Sequence, residues 1–159
     1  DENKSYKNGP LVCPGKYKAV LSLGEKKLVT EFIISKDPKL SVSNQDLRNL
    51  ELFQLKVVEK ISEAKNLENK IEKMLSEKKL NKRAKSIVLK AQEDMTTKEG
   101  TYMQPMLVAQ YNYLYSMLSR SDQEVGNDAK LRLKELNKRL EKNRKLINSV
   151  SKILLTFDR

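Results

Sequence analysis

A chain of 159 residues with 32 Lys and Arg against 21 Asp and Glu carries a formal net charge of +11, and it is 38% hydrophobic and 33% charged. That is one domain's worth of sequence, too apolar for a disordered segment and too charged for a bilayer; no apolar run nears the roughly 20 residues that a membrane helix requires. With no histidine and a single cysteine, Cys13, the composition excludes Ser-His and Cys-His nucleophiles, His-ligated metals, an internal disulfide and a Cys-based zinc site.

Residues 1–9 are polar and aperiodic, which reads as a frayed start. In Lys16 to Leu23, Tyr17, Ala19, Leu21 and Leu23 alternate with Lys16, Lys18 and Ser22, the period-2 pattern of a half-buried strand. Leu28 to Ile34 is rich in the β-branched and aromatic residues that strands prefer. Gly24-Glu25 between them suits a type II′ turn, so residues 11–35 are expected to form a hairpin with a short strand before it. A hairpin alone is marginal, so either helices cover its face or it has lost the rest of a sheet.

Asp37-Pro38 closes this segment, because the residue before a proline is pushed away from helical angles. Ser43 and Asp46 form a near capping box, with Asp46 placed to reach back toward the Ser43 amide. From there Leu47, Leu50, Val57, Ile61, Ala64, Ile71 and Leu75 keep near-heptad spacing, interrupted by Gln54 and Glu68. About 35 residues at about 1.5 Å each make a rod of about 50 Å, one wall of an elongated bundle.

Ile87, Val88, Leu89 and Met95 give a weaker helical stripe, followed by a loop at Thr96 to Gly100. Pro105 suits the first turn of a third helix, with Leu107, Tyr111, Leu114, Met117 and Leu118 on one side. Tyr111, Tyr113 and Tyr115 also fit a strand's alternation, which keeps a strand as the alternative. Ser121-Asp122 and Gly126-Asn127-Asp128 form a connector with two candidate N-caps. The last helix places Leu133, Leu136, Leu140, Ile147, Val150, Leu154 and Phe157 on a heptad seam, with Asn143 at the remaining position. The fold class is therefore mainly α, an elongated antiparallel bundle of three to four helices with an N-terminal β-hairpin. The hairpin segment spans 1–40 and the bundle 41–159, and the Leu133–Phe157 seam is expected to pack antiparallel on the Leu47–Leu75 stripe.

The order of several short motifs resembles a known family. Gly9-Pro10-Leu11-Val12-Cys13-Pro14-Gly15-Lys16-Tyr17, the hairpin, Asp37-Pro38, Ser43-x-x-Asp46-Leu47, Pro105-x-Leu107 and Tyr113-Leu114-Tyr115 running to Asp122 are similar to the C-terminal module of bacterial secreted sortilin-like proteins. Those proteins carry Asp-box (BNR) repeats and are often labelled glycosyl hydrolases. The resemblance implies a β-propeller before this segment, a small β-sandwich ending in residues 11–35, and a terminal helical bundle. It implies a secreted, periplasmic or outer-surface location. Any glycan chemistry would belong to the propeller, and no family catalytic residue maps here. Cys13 and the lysine richness depart from the pattern.

Each sharper reading has a plainer one beside it. Glu59 with Glu63, or Glu68 with Glu72, could serve acid/base or di-metal chemistry, but neighbouring lysines favour solvated ion pairing. The three tyrosines could stack a sugar or base, yet core and rim roles are commoner. Cys13 could be a reactive thiol or a small buried hydrophobe. Arg132, Lys138, Arg139, Lys142, Arg144 and Lys145 form a basic run without an aromatic, so a solvated face is favoured over a nucleic-acid site and these six are the candidate partner-binding residues. The expectation is a non-catalytic interaction or scaffolding module with no catalytic, metal or cofactor site, and with no specific nucleic acid and no membrane insertion. Its partner is protein, either the parent propeller or another copy in a homo-oligomer. A binder of nucleic acid or anionic surfaces is the alternative, and a carboxylate-only glycoside hydrolase comes last.

Overall fold

Two strands and four helices follow one another in the computed structural model, which describes residues 10–77, 80–98, 100 and 103–157. They are β1 (Gly15–Leu23), β2 (Lys26–Ile34), α1 (Asn44–Glu77), α2 (Lys82–Met95), α3 (Leu107–Leu118) and α4 (Asn127–Phe157). The start at residues 1–9 lies outside the described residues, as do the side chains of Leu154 and Phe157. The chain divides into two units, Asp1–Leu55 with Leu118–Val125, and Lys56–Met117 with Gly126–Arg159.

In the first unit, β1 and β2 pair antiparallel from Gly15↔Ile34 to Leu23↔Lys26, leaving Gly24-Glu25 as a two-residue turn. Gly24 has φ +58°, and no other described residue has a positive φ, as a type II′ turn requires of its first position. The register puts Tyr17, Ala19 and Leu21 across from Phe32, Thr30 and Leu28, and Lys18 across from Glu31 on the opposite face. The alternation is therefore the one the sequence carries. Residues 10–14, by contrast, are irregular rather than a short leading strand.

The start of α1 is capped as the sequence suggests, with one change of partner. Ser43 Oγ accepts the Asp46 N–H at 3.1 Å, while the Asp46 carboxylate meets the Ser43 hydroxyl at 2.5 Å instead of its amide. Leu47, Leu50 and Gln54 are buried on the first turns. Gln54 Nε2 donates to Leu118 O at 2.9 Å, taking up one of the carbonyls that the end of α3 leaves without an intrahelical partner.

In the second unit the α1 seam continues without a break: Val57, Ile61, Ala64, Glu68, Ile71 and Met74 are buried. Glu68 does not interrupt it, because its carboxylate accepts the Thr96 hydroxyl at 2.7 Å and lies 3.5 Å from Lys65 Nζ. Asn81 caps α2 by accepting the Ala84 N–H at 2.8 Å. The buried face of α2 is Ala84, Val88, Ala91 and Met95; Ile87 is half-buried and Leu89 exposed, so small residues carry this face. Among the described helix pairs, α2 and α4 approach most closely, as alanines at a contact permit.

Met106 N–H donates to Thr97 Oγ1 at 2.9 Å, tying the start of α3 to the end of α2. Pro105 stands ahead of α3 rather than in its first turn, and its carbonyl accepts Gln110 Nε2. The tyrosine run is helical: Tyr111 is fully buried, Tyr115 half-buried and Tyr113 exposed. α4 closes its first turn on Gly126 O, so Asn127 and Asp128 lie inside the helix rather than capping it. Its buried seam is Leu133, Leu136, Leu140, Asn143, Ile147 and Val150.

The pairing of α1 with α4 differs from the sequence expectation. Glu63 meets Arg144 and Lys70 meets Asn148, so both numbers rise together and the two helices run parallel. The reason is the connection. α2 turns back along α1 from its C-terminal end, Thr96 reaching Glu68, and α3 starts where α2 stops, so together they make the antiparallel leg between two parallel ones.

Candidate interaction surfaces

Two surfaces stand apart from the packed cores, one in each unit. The first is the hairpin. Its face carrying Tyr17, Ala19, Leu21, Leu23, Leu28, Thr30 and Phe32 is uncovered: Leu21 is 66%, Leu23 79%, Leu28 70% and Phe32 45% exposed. Val20, Val29 and Ile33 on the other face are exposed too. Contiguous apolar surface of this kind marks a place where another surface docks, and two strands with open edges are a template for further strands.

The root of the hairpin is held while its length is open. Tyr17 OH donates to Cys13 O at 2.6 Å, and the Tyr17 ring stacks on Phe32 at 5.9 Å between centroids. Cys13 N–H donates to Glu51 Oε2 on α1 at 3.3 Å. Desolvation, the Cys13 side chain and the Glu51 charge push the Tyr17 phenol above its ordinary range. Cys13 is half-buried, 3.7 Å from the Tyr17 hydroxyl. The nearby cleft, lined by Cys13, Pro14, Ile34, Lys36, Leu47 and Leu50, holds about 150 Å³, below the roughly 300–1,000 Å³ of small-molecule sites.

The second surface is the outer side of α4. The structure divides the six candidate residues by type. Arg132 bonds Gln110 on α3 and Glu135, Arg139 bonds Asp94 on α2 at 2.6 Å and Gln110 at 2.7 Å, and Arg144 bonds Glu63 on α1 and Glu141. The planar five-donor guanidinium suits such multi-partner bonding. Among the described residues Lys138 and Lys142 form no hydrogen bond or ion pair, the Lys142 charge acting on Asp94 only from a distance, and Lys145 lies 4.0 Å from Glu141 while remaining largely exposed. Lys130 and Lys134, in the same basic run, join them on this side. With Lys138 and Lys142 they recur every four residues, close to one helical turn.

The carboxylates are taken up in the same network. Burial of Glu63 favours its neutral form, but hydrogen bonds from Lys60 and Arg144 outweigh this and hold it below the usual carboxylate range. Asp94 behaves alike: burial opposes its charge, and Arg139 and Asn143 Nδ2, at 2.6 Å, hold its pKa down. Neither is poised as a general acid near neutral pH. Glu59 and Glu72 stay exposed, so the paired-carboxylate faces separate into one engaged and one solvated member. Tyr111 OH donates to Asn137 Oδ1 at 2.8 Å, and burial together with Glu63 raises its phenol far above its ordinary value. Among the described residues no group of three or more Asp, Glu or Cys could hold a metal ion, and no helix is long and apolar enough to cross a membrane.

No protein-family model matches this chain, nor does any curated protein or solved structure. Fold and surface chemistry therefore define the class on their own: a mainly helical protein with an N-terminal antiparallel hairpin whose apolar face is open.

Proposed function

We propose that this chain is a non-catalytic interaction and scaffolding module, the C-terminal part of a larger secreted or periplasmic sortilin-like β-propeller protein. In this reading the hairpin is completed by β-structure from the rest of that protein, and the helices are the scaffolding part of the module. The observation behind it is the open face of Leu21, Leu23, Leu28 and Phe32 on a hairpin whose root is tied to α1. Two strands do not sustain such a face in water by themselves. The motif order from Gly9 to Asp122 supplies the kind of partner, a β-sandwich in the same polypeptide.

Replacing Leu21 and Leu28 together by Glu tests the reading. In the chain alone these residues are solvated, so helical unfolding in urea should move by no more than about 0.5 kcal/mol. In the longer polypeptide encoded by the gene, burying two unpaired carboxylates should destabilise the assembly by several-fold more. Equal, small effects in both contexts would refute the module reading, as would a gene that encodes no β-domain before Asp1.

A further inference from the structure

We propose that the outer face of α4 adsorbs to the anionic headgroups of a phospholipid bilayer, independently of what the hairpin docks against. The helix sorts its cations by chemistry. Its arginines point into the bundle and reach α1, α2 and α3, where Glu63, Asp94 and Gln110 engage them. Lys130, Lys134, Lys138 and Lys142 recur every four residues on the outward side, with Lys145 beside them. Glu141 lines that face, and Glu135, one turn beyond Leu131 with its side chain 64% exposed, is paired with Arg132 at 3.1 Å.

Spacing makes this a single field rather than scattered charges. Four residues of helix advance about 6 Å, less than the Debye length of about 8 Å at physiological salt. Neighbouring lysines therefore add instead of being screened from one another, over about 22 Å from Lys130 to Lys145. The cations left outward are ammonium groups, point charges without the fork that reads phosphate or base edges bidentately. No aromatic lines this face, so base stacking is not offered. Leu131 stands 61% exposed three residues before Lys134 on the same side, and the lysine stems are apolar. A straight basic face with one apolar contact suits a flat anionic interface better than a polymer groove. Adsorption of this kind requires no spanning helix.

The test uses the whole chain and vesicles of phosphatidylcholine with or without about 30 mol% phosphatidylglycerol, cosedimented at about 50, 150 and 500 mM salt. Binding should require phosphatidylglycerol and fall steeply with salt. The variant Lys134→Gln, Lys138→Gln, Lys142→Gln should bind about 100-fold more weakly, at about 1 kcal/mol per lysine near an anionic surface and 1.4 kcal/mol per tenfold. Its fold is expected to persist, because among the described residues none of the three makes an ion pair or hydrogen bond, and far-UV circular dichroism checks this. The hairpin variant Lys16→Gln, Lys26→Gln, Lys27→Gln removes the same charge elsewhere and should stay within about 2-fold of the parent. Equal losses in both variants would reduce the effect to net charge and overturn the proposal. So would no binding at the lowest salt. Tighter binding to duplex DNA than to the vesicles, lost in the α4 variant, would overturn it in favour of nucleic acid.

Discussion

Replacing Ala91 by leucine probes the contact on which the helical unit closes. Ala91 is fully buried on α2, one turn before Asp94, which bonds Arg139 and Asn143 of α4. The substitution adds three carbons where no space is exposed, and overpacking of this kind costs about 1–3 kcal/mol. If α2 moves off α4 to admit the side chain, the 2.6 Å bonds from Arg139 and Asn143 to Asp94 lengthen, and charge-assisted hydrogen bonds are each worth about 1.5–3 kcal/mol. Because Asp94 and Arg139 are about one-third exposed, part of that value is already lost to solvent screening. The expected total is about 2–4 kcal/mol. Urea unfolding followed by far-UV circular dichroism measures it, with the slope unchanged. A cycle with Asp94→Asn should show coupling above about 0.5 kcal/mol, as residues sharing a contact do. A loss under about 0.5 kcal/mol, additive with Asp94→Asn, would refute close packing of α2 on α4.

Ile61→Ala and Leu140→Ala should each cost about 2–5 kcal/mol in the same assay, and effects below about 0.5 kcal/mol at both would remove the bundle. Glu63 and Asp94 have folded pKa values held below their unfolded ones, so their contribution is present above the unfolded value near 4 and is lost as pH falls through the folded values. The pair Glu63→Gln and Asp94→Asn should therefore flatten the acid limb of stability against pH; an unchanged limb would contradict the network. Tyr111→Phe leaves Asn137 Oδ1 without its donor and should cost about 1–3 kcal/mol. In the parent, absorbance titration should find one tyrosine that resists ionisation until the helices unfold.

The elements written as apolar periodicity were legible from the sequence. Tyr17, Ala19, Leu21 and Leu23 share a face, and Gly24 opens the turn, because a two-residue period and a positive-φ position depend on local geometry alone. Asn143 in a leucine seam marks a buried polar contact, and it bonds Asp94. Gln54 and Glu68 look like interruptions in sequence, because the partners that let them be buried, Leu118 O and the Thr96 hydroxyl, lie 64 and 28 residues away. The α2 face was harder to read, since Ala84 and Ala91 carry little hydropathy although both are buried. The direction of α4 against α1 depends on how α2 and α3 share the returning leg, which no single helix encodes. The candidate basic run was visible, but its division was not: arginine and lysine count alike as charge, and only the bonds to Glu63, Asp94 and Gln110 separate inward from outward.

Amide hydrogen exchange over Tyr17 to Ile34 tests the interaction-module account most directly, measured in this chain and in the longer polypeptide encoded by its gene. Open edges and an uncovered apolar face predict rapid exchange in the chain alone while the α1 and α4 amides stay protected, and slowing of the hairpin amides by about 100-fold or more once the rest of the sheet is supplied. Hairpin amides as protected as those of α4 in the chain alone, or exchange that is equally fast in both proteins, would contradict it.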